Sequence, residues 1–203
     1  MDVALPSFIL GYHGCDVSTA EEVFAGRGTL KPSKNQYDWL GNGIYFWEHN
    51  AQRAGEFAKQ MRDTPHPSGQ KITTPAVVGA IIDLGFCLNL LDSRYIEMVG
   101  QSYQDIKVAL DAVKKPLPQN TGGKDRVSRK LDCAVIESLH KQRKKQEEPS
   151  FDTVRAAFFE GPLLYENAGF SSGNHIQVCV RDHQSIVGYF RPLNEKGKPL
   201  SFR

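Results

Sequence analysis

No apolar run in this chain approaches the roughly 20 residues that a helix needs to cross a bilayer, and no basic segment leading into a hydrophobic stretch opens it. A membrane protein and a secreted one are both disfavoured, so the expected location is the cytoplasm. Cysteine is sparse: Cys15, Cys87, Cys133 and Cys179 stand far apart, with no CxxC pair among them. Neither a disulfide framework nor a zinc site is expected, and no metal is assigned. The apolar surroundings of Cys87, Cys133 and Cys179 suggest thiols buried in a reducing compartment. An excess of one charge is also lacking, since 25 Lys and Arg face 23 Asp and Glu for a net +2. The balance as a whole points neither to a nucleic-acid coat nor to an acidic partner, and any charged patch must be local. Internal repeats and low-complexity tracts are absent too. What remains is 203 residues, 40% of them hydrophobic, which fits a single domain spanning 1–203 with a real core.

Hydrophobic patterning lays out the elements. Phe8 to Tyr12 reads as a strand, and Ser18 with Glu21 forms a capping box that opens a short helix ending near Gly26. A polar loop from Arg27 to Leu40 leads into the strand GNGIYFW, and a helix begins after Glu48 with Ala51, Ala54, Ala58 and Met61 on its buried face. Pro65, Pro67 and Gly69 end that helix. The segments PAVVGAIIDLG and CLNLLD are nearly continuous apolar runs, as strands covered on both faces require. Helices are expected over Ser93 to Lys115 and about Lys124 to Gln146, parted by PLPQNTGG, so that about 92–150 forms a helical insertion. A short helical segment is expected over Asp152 to Phe159, which would make Asp152 and Arg155 an i,i+3 pair. After the loop GPLLYENAGFSSG, the strands IQVCVRD and IVGYF close the chain. The order implies an α+β fold whose terminal strands lie together centrally.

Chemistry enters with His13 and Gly14, which pair a ring nitrogen with a bare backbone after the first strand. In GNGIYF, glycines including Gly43 let a ligand approach the backbone beside Tyr45. Taken in order, YHG, GNGIYFWE, the helix through AGEFA and PAVVGAIIDLG resemble the catalytic domain of the poly(ADP-ribose) polymerases and diphtheria-toxin-like ADP-ribosyltransferases. That family carries HG, then GxGIYF, an acidic residue, a helix and an apolar strand, and the likeness covers roughly residues 8–91. Its third catalytic position is a glutamate in a run such as NEYIVYD. Here NHIQVCVRD is similar, with Asp182 at the aspartate and Gln177 at the glutamate. Alternation sets Gln177 with Cys179 and Arg181, opposite Ile176, Val178 and Val180; a polar edge residue is the other reading. Residues 92–165 match nothing in the family.

The resemblance implies a split β-sheet core with an NAD-binding cleft and peripheral helices. It also implies NAD+ as co-substrate, with release of nicotinamide and transfer of ADP-ribose. His13 would hold a ribose, the Gly14 backbone the carboxamide, and Tyr45 would stack on the nicotinamide ring. Phe57 stands near a second family aromatic, or simply packs its helix. Gln177 can orient a ribose hydroxyl but cannot act as a base, so single transfer is favoured over chain elongation. A base, if needed, would come from the acceptor, water, or a side chain such as Glu160 or Glu166. Arg27, Lys31 or Lys34 could neutralise the pyrophosphate, or be solvated loop charges. From Lys114 to Lys145 stand ten Lys or Arg and three acids; such a stretch can follow a phosphate backbone or be a solvated helix face. The leading reading is therefore a mono-ADP-ribosyltransferase acting on RNA or other nucleic acid ahead of protein. By analogy with small members of that superfamily it is a toxin or anti-phage effector, restrained by a protein antitoxin. An NAD+ glycohydrolase and an inactive ADP-ribose-binding module are the alternatives.

Overall fold

A computed structural model of the chain describes residues 8–64, 72–123 and 128–202. Along them run β1 (Phe8–Asp16), α1 (Val17–Phe24), β2 (Ile44–Glu48), α2 (Ala51–Asp63), β3 (Pro75–Asp83), β4 (Cys87–Asn89) and α3 (Ser93–Ala112). There follow β5 (Asn120–Thr121), β6 (Ser128–Arg129), α4 (Lys130–Lys145), β7 (Thr153–Phe158), β8 (His175–Val180) and β9 (Ile186–Phe190). Seven strands form one open sheet in the order β4-β7-β8-β2-β1-β3-β9, antiparallel except where β4 meets β7. The fold is α+β.

Registers show where this sheet opens. Strand β1 stays with β3 along its whole length, from Phe8 opposite Asp83 to Asp16 opposite Pro75. It meets β2 only at Gly11 opposite Glu48 and Tyr12 opposite Trp47. Beyond those pairs β2 continues with β8, as far as Ile44 opposite Val180. The sheet therefore forks past Tyr12 and Trp47 into a β4-β7-β8-β2 half and a β1-β3-β9 half.

Side-chain alternation divides the core between the two faces. On one, Cys15, Ile44, Phe46, Val78, Ala80, Ile82, Val178 and Val180 pack with Ala20 and Val23 of α1. On the other, Leu88, Val154, Ala156 and Cys179 pack with Ile136 and Leu139 of α4. There too Trp47 and Val77 meet Ala54 of α2 and Phe202 from the end of the chain. Covering both faces accounts for the near-continuous apolar runs of β3 and β8.

Several local expectations are overturned. The first strand does not stop at Tyr12, because the long apolar β3 offers ladder partners as far as Asp16; His13 and Gly14 lie within it. Helix α1 is capped by Asp16 rather than by Ser18. The Asp16 carboxylate accepts Ser18 N at 3.0 Å, and also Thr73 N and Thr74 N at 2.7 and 3.0 Å, so it ties α1 to the start of β3. The Glu21 side chain turns instead to Arg191, at 2.7 Å. Residues 153–158 are strand, not helix: Val154, Ala156 and Phe158 are buried at every second position, a period of two that outweighs the helix-prone alanines. With that, the Asp152–Arg155 helical pair disappears; Asp152 accepts Phe86 N at 2.8 Å. Helix α3 ends at Ala112 and α4 begins at Lys130. Residues 65–71 and 124–127, with Pro65, Pro67, Gly69 and Lys124, lie outside the described residues. Of the terminal strands, β1 and β8 are central, whereas β9 is an edge strand beside β3. Three of the cysteines are buried, while Cys87, on the edge strand β4, is half-buried. Among the described residues no helix is long and apolar enough to cross a membrane.

Candidate functional site

The fork sets the geometry around His13. Its Nδ1 lies 2.8 Å from the main-chain oxygen of Tyr45 across the gap between β1 and β2. A carbonyl only accepts, so Nδ1 carries the hydrogen and Nε2 keeps its lone pair. Burial pulls the His13 pKa down, against the effect of that bond, which leaves the ring neutral at pH 7. The ring tilts against Phe46, 5.8 Å away. Gly14, the next residue, lies beneath α2, and a Cβ there would overlap the Ala54 carbonyl oxygen.

Tyr45 secures the loop before its own strand. Its hydroxyl accepts Leu40 N at 3.0 Å and donates to Gly41 O at 2.7 Å. Burial raises its pKa well above the ordinary value, so the group stays a hydroxyl. Tyr45 stands opposite Cys179, and Trp47 opposite Gln177. These four side chains share the sheet face that bears α4, while His13 and Phe46 take the other face. His13 thus joins Tyr45 and Gln177 through the Tyr45 main chain rather than across an open cleft.

Gln177 is held by a residue that the motif reading did not weigh. Trp39 Nε1 donates to its Oε1 at 2.6 Å; because an indole is a donor only, the amide orientation is fixed and its NH2 points away from Trp39. Trp39 packs on Phe158 with centroids 4.6 Å apart, and the Arg129 guanidinium lies 4.3 Å from the Phe158 ring. His175, two residues before Gln177 on the same face, contacts Phe158 at 5.2 Å and Trp47 at 6.2 Å. Glu160 is drawn to this edge by an ion pair with Arg53 of α2. Three buried polar atoms here, Trp47 Nε1, Arg53 Nε and His175 Nε2, have no hydrogen-bond partner.

The other expected residues fall outside this group. Gly43 exchanges backbone hydrogen bonds with Ser33 at 2.8 and 3.1 Å, and a Cβ there would lie 2.5 Å from Cys179 Sγ and from Val180 O. Close strand packing is reason enough for that glycine. Phe57 packs on Trp47 at 5.0 Å and joins Met61 and Ile72 in a small cluster. Lys31 is exposed, Arg27 is paired with Glu22 at 2.9 Å, and Glu166 is exposed in the loop before β8. Lys34 lines a groove of about 460 Å³ with Lys141, Lys144 and Arg181; a second, of about 620 Å³, lies between α3 and α4 beside Lys141 and Lys145. Neither groove is lined by His13, Tyr45 or Gln177. In the first, Glu137 is held by Arg181 at 2.6 Å. Burial works to raise the Glu137 pKa, but the hydrogen bonds from Arg181 and Asn42 N hold it below its ordinary value.

Two cations of the basic stretch are committed to structure. Arg143 lies over Phe151 at 4.7 Å and pairs with Glu148 at 2.7 Å, and Arg129 covers Phe158. Sequence reading paired Arg155 with Asp152 and missed its partner in the fold: the guanidinium grips both oxygens of Glu48 at 2.6 and 2.7 Å, with the two side chains only 16% and 10% exposed. The pair bridges β7 to β2 across β8. A signal was present: Glu48 ends an apolar strand in phase with Ile44 and Phe46, and a carboxylate on a buried face needs a cation.

No protein-family model, no curated protein and no solved structure matches this chain.

Proposed function

We propose that this protein is an ADP-ribosyltransferase that cleaves the glycosidic bond of NAD+ and transfers single ADP-ribose units to a macromolecule, RNA ahead of DNA or protein. The observation that carries this reading is the fork of the sheet. It sets the His-Gly of β1 beside the Gly-x-Gly-Ile-Tyr-Phe strand β2, with Gln177 on the neighbouring strand β8, and this neighbourhood supports the resemblance drawn from sequence. NAD+ would pass through the gap between β1 and β2 at the fork, meeting His13 on one face of the sheet and Tyr45 and Gln177 on the other. Neutral His13, with its Nε2 lone pair available, would accept from a ribose hydroxyl. The Gln177 NH2, aimed by Trp39, would donate to a hydroxyl oxygen on the nicotinamide-side ribose. Both contacts position a ribose that becomes cationic as nicotinamide departs. The Tyr45 ring, with its hydroxyl already occupied, would serve by stacking alone.

The choice of acceptor rests on Lys34, Lys141 and Lys144 around the 460 Å³ groove. Arg181 at the end of β8 lines it too, four residues from Gln177, a path of roughly 13 Å along the strand. A phosphate backbone in that groove would be within reach of the junction. The test is NAD+ labelled in the adenylate, incubated with the protein and with RNA, DNA or protein. Label on RNA supports the reading, free ADP-ribose alone indicates a glycohydrolase, and no turnover with retained NAD+ binding indicates an inactive module.

A further inference from the structure

The residues around Gln177 include a group able to do what an amide cannot. His175 lies on the same face of β8 as Gln177, is only 9% exposed, and has its Nδ1 2.6 Å from the carbonyl oxygen of Gly173. Since that oxygen only accepts, Nδ1 carries the hydrogen and Nε2 presents a lone pair, buried and without a partner. Its neighbour Trp47, 5% exposed, carries a buried Nε1–H that likewise has none. An unpaired donor beside an unpaired acceptor is costly in a folded interior. The two rings are neighbours, with centroids 6.2 Å apart, and a hydroxyl or water between them would satisfy both by accepting from Trp47 and donating to His175. The charged groups about the ring are Arg53 of α2 with its partners Glu160 and Glu56, and Arg129 beyond Phe158. His140 also has an unpartnered Nε2, but it belongs to α4 and packs on Phe151, whereas His175 packs on Phe158 and Trp47.

We propose that His175 is the proton acceptor for the nucleophile that attacks the ribose, in the role left open by Gln177. This rests on the ADP-ribosyl-transfer reading. The bond from C1′ to the nicotinamide nitrogen breaks and its electron pair leaves with nicotinamide. An oxygen lone pair of the nucleophile, either an acceptor hydroxyl or water, forms the new bond to C1′, and its proton passes to His175 Nε2. Burial lowers the His175 pKa against the effect of the Gly173 bond, with Arg53 adding to the decrease, so the ring is free to accept a proton at pH 7.

Reversal separates the steps. Re-entry of nicotinamide needs no base, whereas capture by a hydroxyl does. His175→Gln should therefore bind NAD+ and exchange labelled nicotinamide into it as the wild type does, while net NAD+ consumption falls about a hundredfold to ten-thousandfold. In the wild type, net consumption should fall on the acid side with the midpoint at which the His175 ring itself titrates, and nitrogen NMR of the full chain should show hydrogen on Nδ1. His175→Gln consuming NAD+ within threefold of wild type overturns the proposal and leaves the transferase reading intact. If that variant does not fold, the wild type decides: a rate that stays flat through the titration of His175, or hydrogen on Nε2, overturns it. A wild-type protein that neither exchanges nor releases nicotinamide overturns both.

Discussion

Tyr45→Phe removes one oxygen atom and leaves the ring in place. In the wild type that oxygen accepts Leu40 N at 3.0 Å and donates to Gly41 O at 2.7 Å, and Leu40 is fully buried. Two hydrogen bonds of about 1 kcal/mol each disappear, and two backbone groups lose their partner at about 1–3 kcal/mol when water cannot replace it. Gly41 is buried as well, but its carbonyl keeps the Cys179 thiol at 3.7 Å, which moderates the sum, so the expected loss is about 2–4 kcal/mol. For a chain of this size that corresponds to a Tm lower by roughly 5–15 °C. Thermal melting by circular dichroism gives the first number, and nicotinamide release per folded molecule gives the second, which should stay within about threefold if the ring acts only by stacking. A Tm within about 1 °C of wild type would refute the anchoring of the loop. Loss of release in a folded variant would instead mean that the hydroxyl acts on the substrate.

Gln177→Ala should lower turnover more than NAD+ affinity, since its contact strengthens as the ribose becomes cationic; steady-state kinetics with a binding titration checks this, and Trp39→Phe should reproduce part of the effect by freeing the amide to rotate. Reversing Lys34, Lys141 and Lys144 to glutamate should weaken RNA binding and flatten its salt dependence, read by fluorescence anisotropy without NAD+; Arg143→Glu, by contrast, should appear as lost stability, because that guanidinium is wedged over Phe151. Asp16 is held down to about 2, burial working to raise it but the hydrogen bonds from Thr74, Ser18 and Thr73 outweighing that. A carboxylate depressed in the fold stabilises above its unfolded pKa, and that contribution is lost as pH falls through the folded one. An acid-melting series should therefore show Asp16→Asn removing a component of stability present above pH about 4 and lost toward about 2.

Much of the scaffold was legible because burial follows period. The apolar run of β3, the alternation in β8 and the alanine face of α2 each declare their environment, and Ala54, Ala58 and Met61 are buried as their spacing requires. The failures have separate causes. Asp16 displaced Ser18 as the cap because its carboxylate serves residues 57 and 58 positions away as well as the helix, and no local pattern reports such a partner. Segment 153–158 was misread because its alanines favour a helix, and the pairing with β8 that overrides this is non-local. At the site, motif residues were legible as a string but not as a face. Alternation within β1 and β2 turns His13 and Tyr45 to opposite sides, and Trp39 reaches Gln177 only through the fold, as Arg53 reaches Glu160.

Nicotinamide release from NAD+ by the purified protein, compared with His13→Ala, decides whether the fork of the sheet is an NAD+ site. The imidazole faces the fork and makes one hydrogen bond, to the Tyr45 carbonyl, so the variant should fold. Wild-type protein is expected to release nicotinamide well above the uncatalysed background, and His13→Ala to lose that release while keeping the wild-type circular dichroism spectrum. Release equal in both would rule out the fork as the NAD+ site, as would its absence from the wild type.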